Sequence, residues 1–76
     1  MIVTAKKFIP IETKLQEVRQ PVMEAGKLID RIGEVIDSLI NDVEKKGNVI
    51  NLGISVSPLS IGSIDGLLVV VWAMLQ

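Results

Sequence analysis

Apolar residues recur at alternating spacings of three and four through the first part of the chain. The series begins at Phe8 and Ile11 and ends at Val43. This spacing is typical of an amphipathic helix whose apolar stripe packs in a coiled coil or a helical bundle. The sequence therefore predicts an N-terminal arm over 1–10 and a helical segment over 11–46. The predicted oligomer seam of that segment consists of Leu15, Val18, Val22, Ala25, Ile29, Ile32, Ile36, Leu39 and Val43.

Pro21 stands inside this series without changing its phase. Proline removes a backbone donor and clashes with the preceding turn of a helix, so we expect a kink or a break at this point. The run Glu44-Lys45-Lys46-Gly47-Asn48 then predicts the end of the helix, because cations and a following glycine favour a helix C-terminus.

The last part of the chain is apolar, and Asp65 is its single charged residue after Lys46. Ser57-Pro58 is a good helix start, and a helix from Pro58 to Leu75 would be about 27 Å long, close to the thickness of a bilayer core of about 30 Å. The sequence thus predicts an extended linker over 47–57 and an apolar, membrane-embedded helix over 58–76. The predicted fold class is all-α.

Gly62, Asp65 and Gly66 are the predicted contact residues of this tail helix. The two glycines have the spacing that lets membrane helices approach closely. Asp65 lies between them, and a carboxylate at that depth is costly unless it is paired or faces water.

A β alternative for the same region stays open at this point. Ile50, Leu52, Ile54 and Val56 alternate with small or polar residues, which is the period of a strand, and Leu67–Trp72 is rich enough in β-branched residues for a second one. The residues from Ser60 to Gly66 would then form the loop of a hairpin. Such a hairpin would need identical neighbours to cover its apolar side chains and its edges.

The composition limits the kinds of catalytic and binding site that the chain can form. The chain has 76 residues with no cysteine and no histidine, a net charge of −1, and two aromatic residues, Phe8 and Trp72. These counts exclude disulfides, thiolate nucleophiles and histidine-based zinc sites, and they argue against a nucleic-acid surface. We therefore predict that the protein is not an enzyme, that it binds no metal, cofactor, small-molecule substrate or nucleic acid, and that its partner is itself.

The predicted function is that of a small self-associating structural or assembly protein. The leading hypothesis is a single-span membrane protein of a virion or an envelope complex, with the lipid bilayer as a partner. Lys45 and Lys46 precede the apolar tail and favour a cytoplasmic or interior position of the N-terminal segment. One alternative is a soluble filament- or shell-forming subunit whose apolar tail, as a helix or a β-hairpin, is buried by identical neighbours. A pore-forming peptide is the third hypothesis.

Overall fold

The protein combines one long helix with a three-stranded sheet in a computed structural model that describes residues 1–11 and 21–76, with side chains for 1–11 and 26–76. Along the chain the elements are β1 (Ile2–Pro10), α1 (Pro21–Glu44), β2 (Val49–Ile61) and β3 (Ile64–Leu75). The strand order in the sheet is β1-β3-β2, and β3 is antiparallel to both of its neighbours. The architecture is therefore mixed α and β.

The all-α prediction is wrong, because the region predicted as a linker and a tail helix forms β2 and β3. The helical prediction for 58–76 failed because β3 lies in the middle of the sheet and one of its faces lies beneath α1. A strand in that position can be apolar at nearly every residue, so it loses the alternation by which strands are recognised. Its run Val69-Val70-Val71 is β-branched, which favours strand over helix.

The transmembrane prediction is corrected by the same finding. Within the described residues, α1 is not apolar enough over a sufficient length to cross a bilayer. The hairpin alternative for this region agrees with the structure, although the connecting loop is much shorter than expected. It consists of Gly62 and Ser63, and Gly62 has a φ of 62°. A glycine with positive φ at the first of two loop positions is typical of a type II′ hairpin turn.

α1 packs on one face of the sheet through the C-terminal half of its apolar stripe. Val35, Leu39 and Val43 are spaced four residues apart and are buried. They form one cluster with five buried residues of the sheet, Ile9, Val69, Val71, Ala73 and Leu75. The coiled-coil prediction is therefore wrong for this stretch, since the apolar stripe that it assigned to other helices packs on the protein's own sheet.

Both ends of α1 lie beside signals noted in the sequence. The described helix starts at Pro21, a residue that costs no hydrogen bond in the first turn of a helix, and the predicted break or kink at this point stays a prediction because 12–20 are not described. It ends at Glu44, the first residue of the predicted stop signal. The part of the predicted helical segment over 12–20 lies outside the described residues.

Two substitutions on α1 distinguish packing on the sheet from a uniform heptad seam. We expect Leu39→Ala to lower the free energy of unfolding by about 2–5 kcal/mol, because it opens a cavity in the buried cluster. Ile29→Ala removes a side chain that is 67% exposed, so its effect should stay within about 0.5 kcal/mol. Urea denaturation followed by circular dichroism at one low protein concentration measures both values. Equal losses would contradict this packing and favour the seam.

A candidate interaction surface on the open sheet face

The face of the sheet opposite α1, called here the open face, carries an apolar strip along its middle. Side chains alternate between the two faces of a strand, and the odd-numbered residues of β3 from Val69 to Leu75 lie in the cluster with α1. The even-numbered residues therefore point away from the helix. On β3 these are Leu68, Val70, Trp72 and Met74, which together define the central strip.

The strands on either side place polar residues along much of this strip. In the register of the sheet, Thr4 and Lys6 of β1 lie opposite Trp72 and Val70. On the other side, β2 contributes Asn51, Ser55 and Ser57. Lys6 is the single charged residue at the described positions of the open face. Apolar side chains return towards the ends of the face, at Ile2, Phe8, Leu59, Ile61 and Ile64.

Both aromatic residues of the protein lie against glycines on this face. A side chain added at Gly53 would collide with the indole of Trp72, its partner in the register. A side chain added at Gly66 would collide with the ring of Phe8 and with the carbonyl oxygen of Ile9. Covering a strand glycine with a neighbouring ring restores the packing that the glycine lacks. The two rings consequently cover the backbone of the neighbouring strand at these two glycines.

On the other side of the sheet, α1 leaves part of β2 uncovered. The helix contacts β1 and β3 extensively and β2 only slightly. Ile54 and Val56 point towards the helix side, yet they remain 47% and 42% exposed. A second apolar area, smaller than the open face, therefore lies along β2.

A cleft of about 500 Å³ lies between α1 and β1. Its lining carries charges of both signs and consists of Lys7, Lys27, Asp30, Arg31, Glu34, Val35 and Ser38. Among the residues that the structure describes, no group of three or more acidic side chains could hold a metal ion. The cleft contains no arrangement that indicates a reaction, and the predictions about catalysis, cofactors and substrates stay predictions.

The residues of the predicted oligomer seam are in different surroundings along the helix. Leu15 and Val18 lie outside the described residues, and Val22 and Ala25 belong to α1 without described side chains. Among the others, Ile29 is exposed, Ile32 and Ile36 are half-buried against the cluster, and Leu39 and Val43 are buried in it. The side chains of Leu39 and Val43, at least, therefore pack within the chain and do not form an oligomer seam.

The predicted tail contact is not a helix–helix contact. Gly62 lies in the hairpin turn, Gly66 lies beneath Phe8, and Asp65 is an exposed residue near the start of β3. The hydroxyl of Ser60 donates a hydrogen bond of 2.6 Å to Oδ1 of Asp65. The two residues face each other across the hairpin, so the carboxylate has a local hydrogen-bonding partner.

Sequence reasoning missed the open face because it treated the tail as a helix. One signal was available, since a glycine inside an alternating strand indicates a close approach by another group. Gly53 has that position between Leu52 and Ile54, and the approaching group is Trp72.

No family model, curated protein or solved structure matches this chain. The function is accordingly argued from the open face and from the physical chemistry of the residues that form it.

Proposed function

We propose that the protein is a structural subunit that assembles with copies of itself through the open face. The observation that carries this proposal is the apolar strip formed by Leu68, Val70, Trp72 and Met74, with polar residues on the neighbouring strands. An apolar centre within a polar rim is the usual composition of a protein–protein interface. Trp72 lies at the middle of the sheet and is 36% exposed. Tryptophan is enriched in protein interfaces, so its exposure here supports the proposal.

The charge of the open face favours an identical copy as the partner. Two copies related by a two-fold axis present the same patch to each other, so a patch that carries charges of one sign repels its copy. This face tolerates that arrangement because Lys6, its one charged residue in the described part of the chain, lies at the rim, where water screens it. A nucleic-acid partner would require many more cations along the face.

The size of the buried cluster supports the same conclusion. A fold with a small core commonly relies on disulfides, metals or association for additional stability. This chain has no cysteine, and its buried cluster uses one face of the sheet alone. Packing two open faces together at the usual distance of about 10 Å between sheets would give each copy a second apolar layer.

The proposal keeps the self-associating subunit predicted from the sequence and replaces the apolar tail helix by a sheet face. Whether the assembly is a small closed oligomer, a filament or a shell depends on how many surfaces take part. The open face supplies one such surface. Measuring the mass of the particle in solution determines the number of copies.

Met74→Asp tests the open face, with Thr4→Asp as the matched control on the same face. Burying an unpaired carboxylate in the strip should raise the dissociation constant at least about tenfold, whereas Thr4→Asp at the polar rim should leave it within about threefold. Light scattering after size-exclusion chromatography over a dilution series measures both, and circular dichroism verifies the fold. Unchanged assembly of the Met74→Asp variant would overturn the proposal.

Trp72 provides an independent optical measurement, because it is the single tryptophan of the chain. We expect acrylamide to quench its fluorescence less in the assembled protein than after dilution, since the strip should be covered by the second copy. Assembly through apolar contacts should also persist in about 0.5 M salt, which screens ion pairs but does not weaken apolar burial. Equal quenching of concentrated and diluted protein would exclude Trp72 from the interface.

A further inference from the structure

The outer edge of β2 is a long strand edge without electrostatic protection. β2 has 13 residues, from Val49 to Ile61, and none of them is charged. The outer edge of the sheet on the other side is β1, which carries Lys6 and Lys7. Lysines on an edge strand are a common protection against pairing with another sheet. The two edges of this sheet are therefore unequal, and β2 is the one open to pairing.

The hydrogen bonds of the sheet determine which groups of β2 face outward. The amide of Ile11 donates to the carbonyl of Asp65, and the amide of Leu75 donates to that of Met1, so odd-numbered residues of β3 bond on the β1 side. In an antiparallel pair these directions alternate, which leaves the even-numbered residues of β3 to bond β2. Their partners on β2 from Asn51 to Ile61 are odd-numbered. The even-numbered residues of β2 consequently direct their amide and carbonyl groups outward.

The outward donors of β2 are blocked at two positions. The amide of Leu52 already donates to Oδ1 of Asn51 at 2.9 Å. Pro58 has no amide hydrogen, and its ring occupies the place where a donor would point. Ile54 and Val56 lie between these two and, among the described residues, their outward amides have no bonding partner. The blocked positions are symmetric about Ser55, three residues before it and three after it.

We propose that two copies pair through their β2 edges, antiparallel, about a two-fold axis at Ser55. Ile54 of each copy then lies opposite Val56 of the other, and both pairs exchange two backbone hydrogen bonds, which makes four in all. Leu52 lies opposite Pro58 of the second copy, so neither blocked position faces a free amide. The product is a continuous sheet of six strands with the β1 edges outermost.

Other symmetric registers near this one match the edge less well. A shift of the axis by one residue in either direction places Leu52 opposite Val56, or Pro58 opposite Ile54. Such a pair loses one of its two donors or meets the proline ring. The side chains favour the same register, because it sets the exposed Ile54 and Val56 against each other on the helix side, where α1 leaves β2 uncovered.

The inference shares with the proposed function the premise that the chain assembles with copies of itself, but it concerns a different surface. Edge pairing uses the backbone of β2, whereas the open face uses the strip on β3. Each contact can therefore form without the other, and their tests can be separated.

Cysteine substitutions test the register directly, because the chain has no cysteine of its own. Ser55→Cys would lie opposite itself in a non-hydrogen-bonded pair with a Cα–Cα distance of about 4.5 Å, within the range of a disulfide. Ser57→Cys, the matched control on the same face of β2, would lie about 14 Å from its copy in this register. Under mild oxidation we expect Ser55→Cys to form a disulfide-linked dimer at least about tenfold faster than Ser57→Cys.

A second pair of variants keeps the edge contact separate from the open face. Ser55→Cys should still cross-link when it is combined with Met74→Asp, which is directed at the open face. It should lose the cross-link when it is combined with Ile54→Lys and Val56→Lys, which place like charges opposite each other at exposed positions. Non-reducing electrophoresis and intact-mass spectrometry identify the linked dimer, and circular dichroism verifies that every variant is folded.

Cross-linking of Ser57→Cys as fast as Ser55→Cys would overturn the register. Absence of cross-linking at Ser55→Cys, in a folded protein that assembles in solution, would overturn the edge pairing and leave the proposed function in place. Cross-linking that disappears with Met74→Asp alone would assign the contact to the open face and would also overturn the edge pairing.

Discussion

The structure depends on β3 being bonded on both sides and apolar on both faces. Its backbone pairs with β1 over the length of that strand and with β2 along the hairpin. One row of its side chains, Val69, Val71 and Ala73, is buried beneath α1, and the alternate row with Val70 and Trp72 forms the strip of the open face. A strand with two apolar faces requires two covering layers, and the helix supplies one of them.

The order of the elements explains why the helix covers one face alone. β1 and β2 are both antiparallel to β3, so they run parallel to each other on either side of it. The chain between them contains α1, which has to pass from one edge of the sheet to the other across β3. A crossover of this kind lies on a single face of the sheet. Because α1 contacts β1 and β3 more than β2, Ile54 and Val56 stay exposed beside the helix, and the strip on the opposite face has no covering layer within the described part of the chain.

The sequence predicted an element best where its apolar residues had a clear period, because that period is the same whatever the element packs against. The spacing of Ile32, Ile36, Leu39 and Val43 indicates a helix whether its stripe packs on helices or on a sheet, so the described α1 lies within the predicted segment, whereas the predicted partner of its stripe was wrong. The alternation around Leu52 and Ile54 indicated β2 for a similar reason, because one face of this edge strand carries small or polar residues. The apolar residues of β3 followed neither period, and a helix from Pro58 to Leu75 would have been nearly long enough to cross a bilayer core.

The candidate surface was harder to predict than the elements, because it exists only in the paired sheet. Leu68, Val70, Trp72 and Met74 become one strip when the strand is extended, whereas on a helix they would be spread around the axis. Phe8 and Gly66 are far apart in the sequence and meet through the register of β1 with β3. Self-association was inferred from the apolar tail and stays a proposal. An uncovered apolar strand exposes apolar surface to water just as an uncovered apolar helix would.

The two proposed contacts together restrict the form of the assembly. Each is isologous, because the same surface meets itself across a two-fold axis. The open face points along the normal of the sheet, whereas the β2 edge points outward within the plane of the sheet, so a copy that uses both contacts touches two different neighbours. Closure then depends on the angle between the two axes. If the axes intersect at an angle that divides a full rotation evenly, the copies form a dihedral particle, and otherwise they continue as a filament.

The twist of the sheet, which rotates adjacent strands by about 20–25°, contributes directly to the angle between the two axes. A bulge increases the local twist of a strand, so the bulge between Val49 and Asn51 is positioned to influence which of the two forms results.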